Sequence, residues 1–210
     1  DARMAAAVAK ARAKGLSAEI AFSSSMAQYL SGKSNAPRIV DLCDADSAKW
    51  AEYAAKKSWP MSAVYAREAR LLAQEETSII NWADATFAIS EEEADLLGSR
   101  DGVEKEVGWF CNGVDALFFA PEAVNPGPRH TAVFVGAMDY WANIDAVLWF
   151  ARDIWPEVRA AAPEATFAIV GSNPAREIRA LDGANGVTVT GRVADVRPFI
   201  EGAALIVAPM

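Results

Sequence analysis

"FVGAMDYWANIDAV", residues 134–147, begins as the end of a β-type run, turns at a glycine, crosses a short aromatic loop and enters a helical pattern. Ile144, Val147, Leu148, Ala151, Ile154, Trp155 and Val158 recur at three- and four-residue spacing, which predicts an amphipathic helix after Asn143. Asn143 suits the cap, Asp145 suits the positive end of the helix, and Pro156 predicts a kink. Strand, turn and helix in this order form the unit of a parallel sheet with helices on its faces. The amides at such a helix start are a natural seat for a phosphate, although every such unit looks alike in sequence.

The same event recurs downstream. "AIVGSNP" (168–174) and "VTGRVADV" (189–196) end two more strands in Gly171 and Gly191. Three glycine-ended strands then share one sheet edge, where open α/β sheets form their ligand crevice. Upstream, "AEIAF" (18–22), "RIVDL" (38–42) and "ATFAI" (85–89) alternate with helical patterns, and "ALIVAP" (204–209) reads as a final buried strand. The class is therefore α/β with parallel sheets. A long helix is predicted from Ser62 to about Trp82, with Arg67, Glu68, Arg70, Glu75 and Glu76 as its wet side. No pattern crosses Pro121, Pro126, Gly127 and Pro128, so residues 1–120 are assigned to one domain, 121–128 to a linker and 129–210 to a second domain.

Composition removes several functions. Twenty Lys and Arg against 28 Asp and Glu give a net charge of −8, which repels nucleic acid. Cys43 and Cys111 are too few for a disulfide framework and too far apart for a zinc knuckle, which suits a reducing cytoplasm. The single histidine, His130, reads as a solvated loop residue, so a Ser-His-Asp triad or a multi-histidine metal site is hard to build. No apolar run is long enough for a membrane span. The first segment, with Arg3, Lys10, Arg12 and Lys14 beside Met4, Val8 and Leu16, reads either as a crossover helix packed on a sheet or as a peripheral membrane contact. Both chain ends read as cut.

Two motifs are false friends. "SGKS" (31–34) imitates the end of a P-loop, but Ala27 stands where its first glycine belongs. "DAD" (44–46) could hold a divalent ion if a third ligand helped. "DLCDADSAKW" reads better as strand end, cap and helix start, with Asp44, Asp46 or Ser47 satisfying orphan amides and no metal bound. No G-x-G-x-x-G follows any strand, which argues against a dinucleotide-dependent dehydrogenase.

In their order and spacing, "SSSMAQYL", "RIVDLCDADSAKW", "ATFAISEEEADLL", "NGVDALFFAP", "VFVGAMDYWANIDAVLWFA", "FAIVGSNP" and "VTGRVADVRPFI" span nearly the whole chain. They resemble a retaining glycosyltransferase of the GT-B fold, in family 4 of the nucleotide-sugar-dependent enzymes, and most of all the sugar transferases of exosortase (PEP-CTERM) and exopolysaccharide systems. The resemblance implies two Rossmann-like doubly wound domains, both incomplete here, with "NGVD" closing the first. It implies a UDP- or GDP-linked sugar donor, a polysaccharide or lipid-linked acceptor, no cofactor and no metal, and a cytoplasmic location or one peripheral to the inner membrane face. Carried over by position, Gly136 and the loop to Asn143 would face the diphosphate, and Gly171 and Ser172 would approach the nucleotide. Gly191, Arg192 and Val193 would present backbone to the base, Ser90 would approach the donor from the first domain, and Asp44 is the catalytic candidate.

Three departures stand out. Cys43-Asp44 replaces the His-Asp of many relatives, Ala137 replaces a basic residue, and the early glycine-rich loop and late acidic motif fall outside residues 1–210. Residues 1–210 alone are therefore expected to transfer no sugar. A two-lobed, non-enzymatic sugar binder and a nucleotide-sugar epimerase of similar fold are the competing readings.

Overall fold

The computed structural model of the protein describes residues 1–120 and 130–209, so the linker assigned to 121–128 lies outside the described residues. By internal contacts the chain divides into two compact units, Asp1–Gly113 and Val114–Met210. Residues 114–120 thus group with the second unit. Arg197 carries part of that attachment: its Nη1 donates to the Phe118 carbonyl at 3.1 Å, and its Cζ lies 3.9 Å from the centroid of the Phe118 ring.

The first unit contains strands β1 (Glu19–Phe22), β2 (Arg38–Cys43), β3 (Ala85–Ala88) and β4 (Gly108–Trp109), all parallel and in the spatial order β1-β2-β3-β4. Helices α1 (Ala2–Arg12), α2 (Ser24–Ala27), α3 (Asp46–Lys56), α4 (Met61–Trp82) and α5 (Glu91–Gly98) accompany them. Val40, Leu42 and Ala88 from the strands meet Ile79 and Ile80 of α4 and Leu97 of α5 in the core. On α4 the buried positions are Ala69, Glu76, Ile79 and Ile80, one stripe at helical spacing. Glu76 is therefore a correction to the sequence reading, which put it on the wet side: it is fully buried, held by partners from α3 and from the chain after α5. Arg67, Arg70 and Glu75 do face solvent.

The second unit contains β5 (Thr131–Val135), β6 (Thr166–Val170), β7 (Val187–Gly191) and β8 (Leu205–Ile206), again all parallel, in the order β7-β6-β5-β8. Its first helix is α6 (Trp141–Trp149), continued by a π-helical turn (Phe150–Ile154) and α7 (Trp155–Ala161); α8 (Arg176–Arg179) and α9 (Arg197–Glu201) follow. Pro156 has no N–H for the carbonyl four residues back, and its ring crowds that carbonyl. The widened turn just before it absorbs the misfit: the Trp155 amide bonds to the Phe150 carbonyl, five residues back. Trp155 is thereby buried against Phe150 and Phe167, with its indole N–H on the Asn185 carbonyl at 2.9 Å. The last strand departs from expectation, since Leu205 and Ile206 of β8 are exposed at the edge of the described sheet.

Candidate functional site

In a parallel sheet every strand ends on the same edge, so the strand order decides where a crevice opens. In the first unit the strands advance in one direction and no reversal occurs among the described residues. In the second unit, numbered from its own first strand, the order is 3-2-1-4: the chain winds outward from β5 to β7 and then returns to the other side of β5 as β8. The reversal lies between β5 and β8. Their C-terminal ends are the loop from Gly136 and the segment after Ile206.

That edge is tightly tied. The Gly136 amide bonds to the Val170 carbonyl at 3.0 Å, Met138 N–H to the Ser172 carbonyl at 2.9 Å, Ala175 N–H to the Met138 carbonyl at 3.0 Å, and Gly171 N–H to the Gly191 carbonyl at 3.3 Å. Asn173 Nδ2 donates to Asp139 Oδ2 at 2.9 Å. Gly136, Gly171, Ser172 and Gly191 therefore form one connected rim. A Cβ on Gly171 would lie 1.7 Å from the Gly136 carbonyl oxygen, so this glycine is required by the approach of the two loops, whatever else it does. Gly191 has φ +67° and open space around a would-be Cβ, so backbone conformation is its requirement.

Asn143 also reaches this rim, though not as a cap. The helix begins two residues earlier, Tyr140 occupies the cap position without a side-chain bond, and Asn143 Nδ2 donates to the Ala137 carbonyl at 2.9 Å. Asn143 thus pins the loop that its helix follows. Amides in the first turn of a helix have no intrahelical acceptor, and at α6 the cap residue Tyr140 supplies no side-chain cap bond. Arg192 follows Gly191 and is exposed, whereas Val193 packs with the small cluster of Val133, Val170 and Ala203. Arg197, the next cation, is engaged by Asp195 at 2.7 Å and by Phe118.

The first-unit candidates lie on the C-terminal edge of its own sheet. Asp44 is exposed just after β2 and Ser90 just after the neighbouring β3, with Ile89 N–H on the Cys43 carbonyl at 2.8 Å. Ser90 caps α5, accepting from the Glu93 amide at 3.3 Å. The predicted capping of α3 by Asp44, Asp46 or Ser47 is corrected. Ala45 N–H donates to Glu93 Oε2 at 2.7 Å, while Ser47 gives its N–H to Glu76 Oε1 at 3.1 Å and its hydroxyl to Glu76 Oε2 at 2.6 Å. Asp46 instead accepts from Ser24 Oγ at 2.9 Å. Carboxylates from α4 and α5 thus neutralise the start of α3, where the helix dipole favours negative charge. For Glu93 the spacing Ser90-x-x-Glu93 was a readable signal of a helix start, but its second half is diverted to another element.

Cys43 stands in the left-handed region at φ +65°, and burial, with Asp41 and Asp44 nearby, pushes its thiol up to about 11. At neutral pH it is protonated and is no substitute for a histidine base. In a Cys111→Ser background, thiolate absorbance is expected to rise only near pH 11; a midpoint near 8.5 would show that the half-buried, carboxylate-flanked setting is wrong.

Two concavities of the first unit are lined by neither Asp44 nor Ser90. One, of about 930 Å³, is lined by Glu92, Asp95, Glu104 and Glu106 beside Lys105, a charge set that repels diphosphate. The other, of about 390 Å³, contains the buried Glu19, already paired with Arg12 at 2.6 Å.

Residues 129–210 match the family model described as glycosyl transferases group 1. No curated protein matches the chain. Among solved structures, a sucrose-phosphate synthase from Thermosynechococcus elongatus aligns with a TM-score of 0.69 at 18% identity, over 96% of this chain and 52% of that one. TarM aligns with a TM-score of 0.61 at 12% identity, over 89% of this chain and 35% of that one. The chain thus spans about half the length of the first and about a third of the second. These likenesses show the fold, two parallel α/β units of the GT-B class.

Proposed function

We propose that the chain is part of a retaining, metal-independent glycosyltransferase of family 4. It takes a UDP- or GDP-linked sugar and delivers it to a polysaccharide or lipid-linked acceptor of an exopolysaccharide (PEP-CTERM) system, in the cytoplasm or peripherally at the inner membrane face. The observation that carries this reading is the coincidence of the family match over 129–210 with the unit whose strand order reverses beside the Gly136 loop. The donor's diphosphate would lie over the first turn of α6 and the nucleotide along Gly171, Ser172 and Gly191, with Arg192 and Val193 at the base. Retaining transfer has the acceptor attack the face from which the diphosphate leaves. The residues then position the partners and stabilise charge on the leaving group, so no metal is required in principle. In the first unit the candidates for the reaction are Asp44 and Ser90, on the C-terminal edge of its own sheet.

Ala137 and the Asp139 carboxylate bring no positive charge to the α6 loop, and a helix start offers only about half a unit. Base and ribose contacts should then dominate. In calorimetric titrations of residues 1–210, UMP and UDP, or GMP and GDP, are expected to bind within a few-fold of each other. Absence of binding by all four would remove the donor site from this unit. A hundredfold preference for diphosphate, about 2.7 kcal/mol, would show that a cationic phosphate site is present instead.

A further inference from the structure

Helices α3 and α4 form an antiparallel hairpin, locked near its turn by Trp50, Tyr53 and Tyr65, whose ring centroids lie 5.3, 5.8 and 6.1 Å apart pairwise. The turn beyond this aromatic clamp carries Trp59, 82% exposed, followed by Met61 at 43% and Val64 at 47%. A tryptophan is among the costliest residues to leave in water, and here it stands in the turn of the hairpin with exposed apolar neighbours. In a chain with net charge −8, the two charged residues nearest Trp59 in sequence, Lys56 and Lys57, are both cationic and both exposed, and the nearest carboxylate along the chain is Glu52.

We propose that this tip docks on an anionic lipid surface, with Trp59 entering the headgroup layer, Met61 and Val64 following it, and Lys56 and Lys57 meeting lipid phosphates. An indole beside lysines matches the membrane–water boundary, where amphipathic rings and long cationic side chains are accommodated together. A protein partner fits less well, since a stable protein interface takes roughly 800 Å² from each side and three side chains on a convex turn offer far less. The basic helix α1 is the weaker candidate for the same role: Arg12 is bound to Glu19 and the Leu30 carbonyl, and Val8 packs on the core. The inference rests on the peripheral location in the reading above and is independent of the transfer chemistry.

The test is sedimentation of the 210-residue chain with phosphatidylcholine vesicles, with and without about a third phosphatidylglycerol, in low salt and without nucleotide. Binding should appear only with the anionic vesicles. It should fall at least tenfold in Trp59→Ser and, separately, in Lys56→Glu/Lys57→Glu, and stay unchanged in Lys10→Glu/Lys14→Glu. Circular dichroism shows that each variant is folded; the lysine variant preserves the test should Trp59→Ser fail to fold. No binding to anionic vesicles overturns the proposal, as does loss only in the α1 variant. It is equally overturned if the chain is dimeric by light scattering and Trp59→Ser makes it monomeric, which would assign the tip to a second copy. Nucleotide titrations are unaffected by all of these outcomes, so failure here leaves the transferase reading to its own test.

Discussion

Replacing Glu76 by alanine is expected to destabilise the first unit by about 3–5 kcal/mol, a large share of the 5–15 kcal/mol that usually holds a domain together. The carboxylate is fully buried and accepts from the Ser47 amide at 3.1 Å, from the Ser47 hydroxyl at 2.6 Å and from the Arg100 guanidinium. Truncation strands three donors at once, one of them a cation whose side chain is itself largely buried. Glu76→Gln should lie between wild type and alanine, since it retains one carbonyl acceptor but turns an amide group toward a donor. Denaturant unfolding measures the loss, and hydrogen exchange at the Ser47 amide assigns it to the start of α3. A change below about 1 kcal/mol with Ser47 protection intact would mean that the helix start has another anchor.

Gly171→Ala is expected to have the largest effect on the second unit. An added methyl group 1.7 Å from the Gly136 carbonyl oxygen meets backbone, which has no rotamer to yield. The loops must separate, weakening the Gly136–Val170, Met138–Ser172 and Gly171–Gly191 bonds together. Overpacking of this kind costs about 1–3 kcal/mol and sometimes more, and the upper end applies because several hydrogen bonds share the shift. Gly191→Ala is the matched control: its methyl meets nothing within 4 Å, so only the left-handed φ is penalised, at roughly 1–2 kcal/mol. Thermal unfolding should rank the two in that order. Nucleotide affinity should fall at least tenfold in Gly171→Ala, because the rim it closes is the proposed seat of the donor. Equal stability in the two variants would show that the loops do not meet as closely as described.

The alternation of β-type runs with helical spacing determined the α/β class and the parallel sheets, because side-chain periodicity and the punctuation of Gly and Pro are local properties. Seven of the strands follow from such runs, including Thr131–Val135 and Thr166–Val170. The short β4, Gly108–Trp109, carried no alternation to read; pairing with β3 alone makes it a strand. Gly136, Gly171 and Gly191 were recognisable as strand ends, and their meeting on one rim followed from parallel pairing. Strand order was not legible, since it depends on which edges find partners, and so the reversal beside β5 came only with the fold. Glu76 stands where helical spacing puts the inside of α4, yet its charge argued for the outside. Ser47 and Arg100, 29 and 24 residues away along the chain, settle the conflict by supplying the donors that make burial of a carboxylate tolerable. The cap at Asp44 fails for the same reason: a polar side chain at a helix start announces the start, but which acceptor reaches the orphan amide is decided by whatever element packs above it. Asn143 fails because its helix begins two residues earlier and its side-chain amide is given to the Ala137 carbonyl.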